Sequence, residues 1–124
     1  MSEAAPYLAT VVAHYRRPHN RRALAAPTHA YEGVNTLCGD RVRMEVAVRD
    51  GGVTDAAFAA SACAIATAAA SLLTERVRGA ALDDVLLLSD DAMIAALGEG
   101  VPVARRSCAT LALRVLREAL GESP

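Results

Sequence analysis

Tryptophan and lysine are absent from the 124-residue chain, and aromatic residues make up only 3% of it. Without large rings, the core must be built from Val, Leu, Ile and Ala, which favours closely packed helices over an aromatic centre. All 13 basic residues are arginine; beside so much alanine this reads as coding bias and carries no functional meaning. Neither sign of charge is in excess, since 13 basic residues face 14 acidic ones. That balance argues against general nucleic-acid binding, which requires several phosphates to be neutralised. Cysteine is scarce and its number is odd, three, whereas a secreted disulfide scaffold prefers an even set. The opening residues Met1-Ser2-Glu3-Ala4-Ala5-Pro6 lack a basic-then-apolar targeting pattern. Together these absences predict a cytoplasmic protein in a reducing compartment, with thiols free for metals or chemistry. The uncharged run from Ala56 to Leu73 reaches membrane-span length, but it is mostly alanine with Ser61, Thr67 and Ser71. It reads as a strand followed by a helix, and no membrane partner is expected.

The length fits one domain, residues 1–124, large enough to fold without disulfides. Leu8, Val11, Val12 and Tyr15 recur at helical spacing, which predicts a first helix over 5–17, with Tyr15 packing beside Val11 and Pro18 as the stop. A polar link follows to Thr36, with a short strand near 30–34. Residues 41–49, RVRMEVAVR, alternate strictly. Val42, Met44, Val46 and Val48 face the core; Arg41, Arg43, Glu45, Ala47 and Arg49 face solvent. Asp50-Gly51-Gly52 signals a hairpin into an antiparallel strand over 53–60. Helices are expected over 64–78, 82–88, 91–97 and 107–120, the third started by Ser89-Asp90-Asp91. The order of elements predicts an α+β fold, a small antiparallel sheet with helices packed on it.

All three cysteines fall at the ends of these elements. Cys38 precedes the first long strand, in the stretch NTLCGDR; Cys63 lies between the second strand and its helix; Cys108 opens the last helix. A hairpin brings the start of its first strand beside the end of its second, so Cys38 and Cys63 are expected to be neighbours. Cys108 joins them if the last helix points its N-terminus at that edge. A helix N-terminus lowers a thiol pKa, and the thiolate is the form that attacks sulfur or binds metal. Asp40 adds an oxygen ligand, and Gly39 allows the tight backbone that lets Cys38 and Asp40 point to one centre. Three thiolates and one carboxylate make a tetrahedral set for zinc, or for iron in a cluster. The alternative is three cysteines buried as small apolar residues, and no CxxC spacing argues against it.

The combination of HYRRPHNRR, CGD, ACAIATAAASLLTERVRG and SCATLA resembles the IscU/SufU/NifU N-terminal family of iron–sulfur cluster assembly proteins, over about residues 7–120. The resemblance implies a site of Cys38, Asp40, Cys63 and Cys108. It also implies a partner, a pyridoxal phosphate-dependent cysteine desulfurase that delivers sulfur as a persulfide. Cys38, on its loop, is expected to accept that sulfur. The site would then hold a transient [2Fe–2S] cluster destined for a downstream scaffold or apoproteins, or would keep zinc and act as a sulfurtransferase. A third reading is a structural zinc domain that only binds a partner. IscU-type members have a histidine just before the third cysteine, where this chain has Ser107, and an LPPVK-like segment where it reads VPVARR. Cys108-Ala109-Thr110-Leu111 and Arg105 match SufU-type members, but the usual insertion between the second and third cysteines is missing. Ala62 stands where the family prefers glycine. Arg105 is expected either to pair with Asp40 or to offset thiolate charge. Arg16, Arg17, Arg21 and Arg22 are the implied desulfurase-docking face. His14 is expected to be structural, and His19 and His29 are not expected to be ligands.

Overall fold

The alternating segment forms the middle of the sheet. In the computed structural model, which describes residues 5–121, strand β2 (Asp40–Arg49) pairs antiparallel on one side with β1 (His29–Asn35) and on the other with β3 (Gly52–Ser61). Met1 to Ala4, read above for a targeting pattern, lie outside the described residues. Asp50 and Gly51 form the two-residue β2–β3 turn with φ of 51° and 75°. Two successive left-handed residues match the twist of the strands they join. Val42, Met44 and Val46 are fully buried. Val48 is only half-buried, because a register irregularity between Ala47 and Val48 breaks the alternation.

Helix α2 (Ala64–Val77) packs on this inner face beside α5 (Arg106–Ala119). The alanines of α2 let the helix lie close to the sheet, and Ala68, Ala69, Leu73 and Val77 share one buried cluster with Met44, Phe58 and the α5 residues Ala112, Leu113 and Leu116. Phe58 is the one fully buried aromatic side chain among the described residues. The run Ala56–Leu73 is divided as its pattern suggests, ending β3 and beginning α2, and no described helix is long and apolar enough to cross a membrane. Helices α3 (Leu82–Leu86) and α4 (Asp90–Leu97) complete the layer, α4 capped by Ser89 Oγ, which accepts the Ala92 N–H at 3.1 Å. The fold is α+β.

Helix α1 (Tyr7–Arg16) departs from its expected packing. Only Val11 is buried; Tyr15 is half exposed, and Leu8 and Val12 also face solvent. The reason is polar. The helix is fixed to α2 by His14 Nδ1, 2.7 Å from the hydroxyl of fully buried Ser71. Pro18 ends the helix, and the next residues continue the attachment. The His19 N–H donates to Ser71 Oγ at 2.8 Å, and Asn20 Nδ2 donates to Thr74 Oγ1 at 3.1 Å. Glu45 is a second departure. Read as solvent-facing, it is buried beneath the 17–28 link, accepting the Leu24 N–H at 2.8 Å and Arg43 Nε at 2.9 Å.

Candidate metal and sulfur centre

The turn between β1 and β2 is Thr36-Leu37-Cys38-Gly39, closed by the pairing of Asn35 with Asp40. Asn35 builds it. Its backbone oxygen accepts the Gly39 N–H at 2.8 Å and its Oδ1 accepts the Leu37 N–H at 3.1 Å. Its Nδ2 donates to Ser107 Oγ at 3.0 Å, tying the turn to the start of α5. Sequence reading gave Asn35 no role; an asparagine opening a turn, able to bond its own backbone two residues on, is the signal that could have found it. Gly39 adopts φ 70°, left-handed backbone that favours glycine and sets Cys38 back over Asp40.

Because β2 and β3 are a hairpin, the end of β3 delivers Cys63 to the start of β2. The Cys63 N–H donates to Asp40 Oδ1 at 2.8 Å. Asp40 Oδ2 accepts the Cys38 S–H at 3.0 Å, and Cys38 Sγ lies 3.4 Å from Cys108 Sγ. One ligand atom from each of Cys38, Asp40 and Cys108 lies within 4.8 Å of the others. Cys63 Sγ stands outside that set because it caps α2, accepting the Ala66 N–H at 3.4 Å. Exposure is graded: Cys38 is exposed, Cys63 intermediate, Cys108 buried.

Electrostatics follow from this packing. Burial alone would raise the Asp40 carboxyl. The Cys38 S–H, the Cys63 N–H and the neighbouring thiols more than offset it, and hold the group below the ordinary carboxylate range. Cys108 behaves differently from the expectation of a dipole-lowered thiol. Burial, the bond with Cys38 and the Cys63 charge push it up to about 12, outweighing its place in the first turn of α5 and the nearby Arg105. Arg105, on the 3₁₀ turn Val103–Arg105, is exposed, and the Cys108 sulfur stabilises its charged form. It makes no ion pair with Asp40, one of the two roles expected for it. The arginine cluster is divided: Arg22 pairs with Asp55 at 2.8 Å and Arg21 donates to Ala60 O at 2.9 Å, whereas Arg16 and Arg17 lie exposed on α1 and just beyond it.

The donor set suits a thiophilic ion. Two sulfurs on one tetrahedral zinc, with bonds of about 2.3 Å, sit roughly 3.8 Å apart. The Cys38–Cys108 separation of 3.4 Å needs only a small opening once protons give way to metal. Cys63 Sγ would have to move toward that pair, and as a thiolate it could still accept the Ala66 N–H.

Comparison with known proteins agrees with this arrangement. Residues 6–123 match the model of the NifU-like N-terminal domain. The chain is 31% identical to an iron–sulfur cluster assembly scaffold protein, IscU 1, of Archaeoglobus fulgidus, over 92% of this chain and 74% of that one. It is 30% identical to the zinc-dependent sulfurtransferase SufU of Bacillus subtilis, over 67% of this chain and 56% of that one. A crystal structure of a NifU-like protein N-terminal region from Brucella abortus superposes with a TM-score of 0.76 at 23% identity, covering 94% of this chain and 93% of the other, which bears on the fold alone. With the sheet, the cysteine-bearing element ends and the matched length all in accord, the chain belongs to the NifU-like N-terminal domain family.

Proposed function

We propose that this protein assembles iron–sulfur clusters, receiving sulfur on Cys38 and holding a transient [2Fe–2S] cluster on Cys38, Asp40, Cys63 and Cys108. The observation that carries the reading is one exposed thiol, Cys38, 3.4 Å from a buried one and 3.0 Å from a buried carboxylate. The exposed thiol can meet a partner while the other groups wait behind it. The donor is a pyridoxal phosphate-dependent cysteine desulfurase carrying a cysteine persulfide. The Cys38 thiolate attacks its outer sulfur, the S–S bond there breaks, and the desulfurase cysteine leaves as thiolate. Cys38 then carries the sulfane sulfur with no net oxidation or reduction; turning two such sulfurs into cluster sulfide takes four electrons, two from the pair of ferrous ions and two from a thiol reductant such as excess cysteine, which leaves as its disulfide. Leu37, 87% exposed, and Val103, 79% exposed, are apolar neighbours of the site available for docking. Arg105 offsets negative charge as the thiols ionise. A finished cluster passes to a downstream scaffold or apoproteins in a reducing, cytoplasmic setting.

A second reading has support in Arg105 beside Cys108 and in the SufU relative. In it the same four residues hold zinc, which orders the site and favours thiolates, and the protein passes sulfur to a separate scaffold. One experiment separates the two. The protein is mixed anaerobically with a cysteine desulfurase, cysteine and ferrous iron, with metal analysis before and after. Charge-transfer bands that vanish in Cys38→Ser support cluster assembly. Retained zinc without bands, but with Cys38-dependent acceleration of the desulfurase, supports sulfur transfer. Neither bands nor acceleration overturns both and leaves a structural zinc domain.

A further inference from the structure

At the far end of α2 lies a group of side chains that the thiol site does not use. His14 comes from the last turn of α1, His19 from just beyond Pro18, and Glu75 from the last turn of α2. One ring nitrogen of each histidine and one carboxylate oxygen lie within 4.8 Å of one another. His19 Nδ1 is 2.7 Å from Glu75 Oε2, and the two imidazole centroids are 4.7 Å apart. Cys63 caps the opposite end of the same helix, so at 1.5 Å per residue this group stands about 18 Å from the thiols.

We propose that His14, His19 and Glu75 form a second metal site, for a divalent transition ion such as zinc, independent of the cysteine centre. The chemistry of the set is specific. Two imidazoles and one carboxylate suit zinc, nickel, copper(II) or iron(II), and not the hard, oxygen-seeking calcium or magnesium. The geometry is close to what is needed. Nitrogen and oxygen on one tetrahedral zinc, with bonds of about 2.0–2.1 Å, sit roughly 3.3 Å apart. Replacing the proton shared by His19 and Glu75 with an ion therefore widens their 2.7 Å contact by about 0.6 Å, within side-chain reach at the surface.

The support behind the ligands is already built. Ser71, fully buried, holds His14 through Nδ1, the kind of second hydrogen bond that orients a ligand imidazole, and Nε2 is then the nitrogen available to an ion. The same hydroxyl accepts the His19 backbone N–H, so one buried group sets the spacing of both histidines. His19 and Glu75 are 48% and 45% exposed, which gives an ion access and leaves its remaining positions to water.

Cobalt(II) tests the proposal. The reduced chain is titrated anaerobically and followed by visible absorbance and calorimetry. Cobalt on thiolates gives intense sulfur-to-metal bands, whereas cobalt on imidazole and carboxylate gives only weak ligand-field bands. The expected result is two phases, one of each kind. His19→Ala and Glu75→Gln, both at exposed positions, weaken the ligand-field phase by more than about tenfold, leave the thiolate phase intact and leave the circular dichroism unchanged. A wild-type titration with no ligand-field phase, or one that both variants retain, overturns the site and reduces it to a His–Glu hydrogen bond only. A missing thiolate phase would count against the cysteine centre alone, since the two phases are read separately.

Discussion

Replacing Glu45 by glutamine keeps the shape of the side chain and removes its charge. In the wild-type protein the carboxylate is nearly enclosed, with a side chain 12% exposed, and accepts from the Leu24 N–H and from Arg43 Nε. Those bonds, the Leu24 one foremost, hold its pKa below the ordinary 4.5. A hydrogen bond to a charged acceptor contributes about 1.5–3 kcal/mol, a neutral one about 0.5–1.5. The exchange should therefore cost about 1–2 kcal/mol at neutral pH, because the amide can still accept from one donor but attracts neither as strongly. The sign of the pH dependence follows from the lowered pKa. The carboxylate's contribution is complete above the unfolded-state value and is lost as pH falls through the lower folded-state value. Urea denaturation at a series of pH values from 7 downward should show the difference between wild type and Glu45→Gln fully present at pH 7 and shrinking once pH falls below the unfolded-state value. Amide exchange at Leu24 should quicken in the variant at neutral pH. A difference that does not shrink at all as pH falls below the unfolded-state value toward the folded-state one would refute the assignment of that stability to the buried charge.

Other consequences can be checked as directly. A methyl group on Gly33 would lie 2.6 Å from Val115 Cγ2, where β1 crosses α5, so Gly33→Ala should lower stability by about 1–3 kcal/mol in a thermal or urea melt. In the metal-free protein, iodoacetamide at pH 8 should modify exposed Cys38 first and Cys108 last, read by peptide mass mapping; a thiol raised to about 12 is only about one part in ten thousand thiolate there. Equal labelling of Cys108 would contradict its burial. Asp40→Ala should give a more persistent reconstituted cluster, followed by its visible decay. In the proposed site the carboxylate would be the hard, exchangeable ligand, and without metal it binds the Cys38 S–H and the Cys63 N–H. Decay as fast as wild type would remove that role from Asp40.

Much of this architecture was legible in the residues because it rests on local rules. Strict alternation marks β2, Asp50-Gly51 marks its hairpin, and hairpin geometry alone brings Cys63 to the strand that begins with Asp40. What escaped depends on partners far along the chain. Strand β1 runs from His29 to Asn35, longer than the 30–34 expected, and its burial does not alternate because α5 covers only part of it. Tyr15 keeps helical spacing with Val11, yet the face that meets α2 is fixed by His14 and Ser71, 57 residues apart. Glu45 sits at a solvent-facing position of its strand, and only the folding-over of Leu24 makes it interior. At the site, the side-chain types were readable, but the Asn35–Ser107 tie that closes the turn was not. The rise of the Cys108 thiol was hidden as well, because a sequence shows a cysteine at a helix start without showing how deeply that start is covered.

The first turn of α2 depends on the sulfur of Cys63. As long as that sulfur accepts the Ala66 N–H, the helix begins there with its cap in place. A metal-bound thiolate keeps lone pairs free and accepts an N–H more strongly than a neutral thiol does, so an ion that draws on Cys63 can share its sulfur with the Ala66 amide. Ligand and helix cap are then one atom, and loading the centre would firm the first turn of α2 from inside the site.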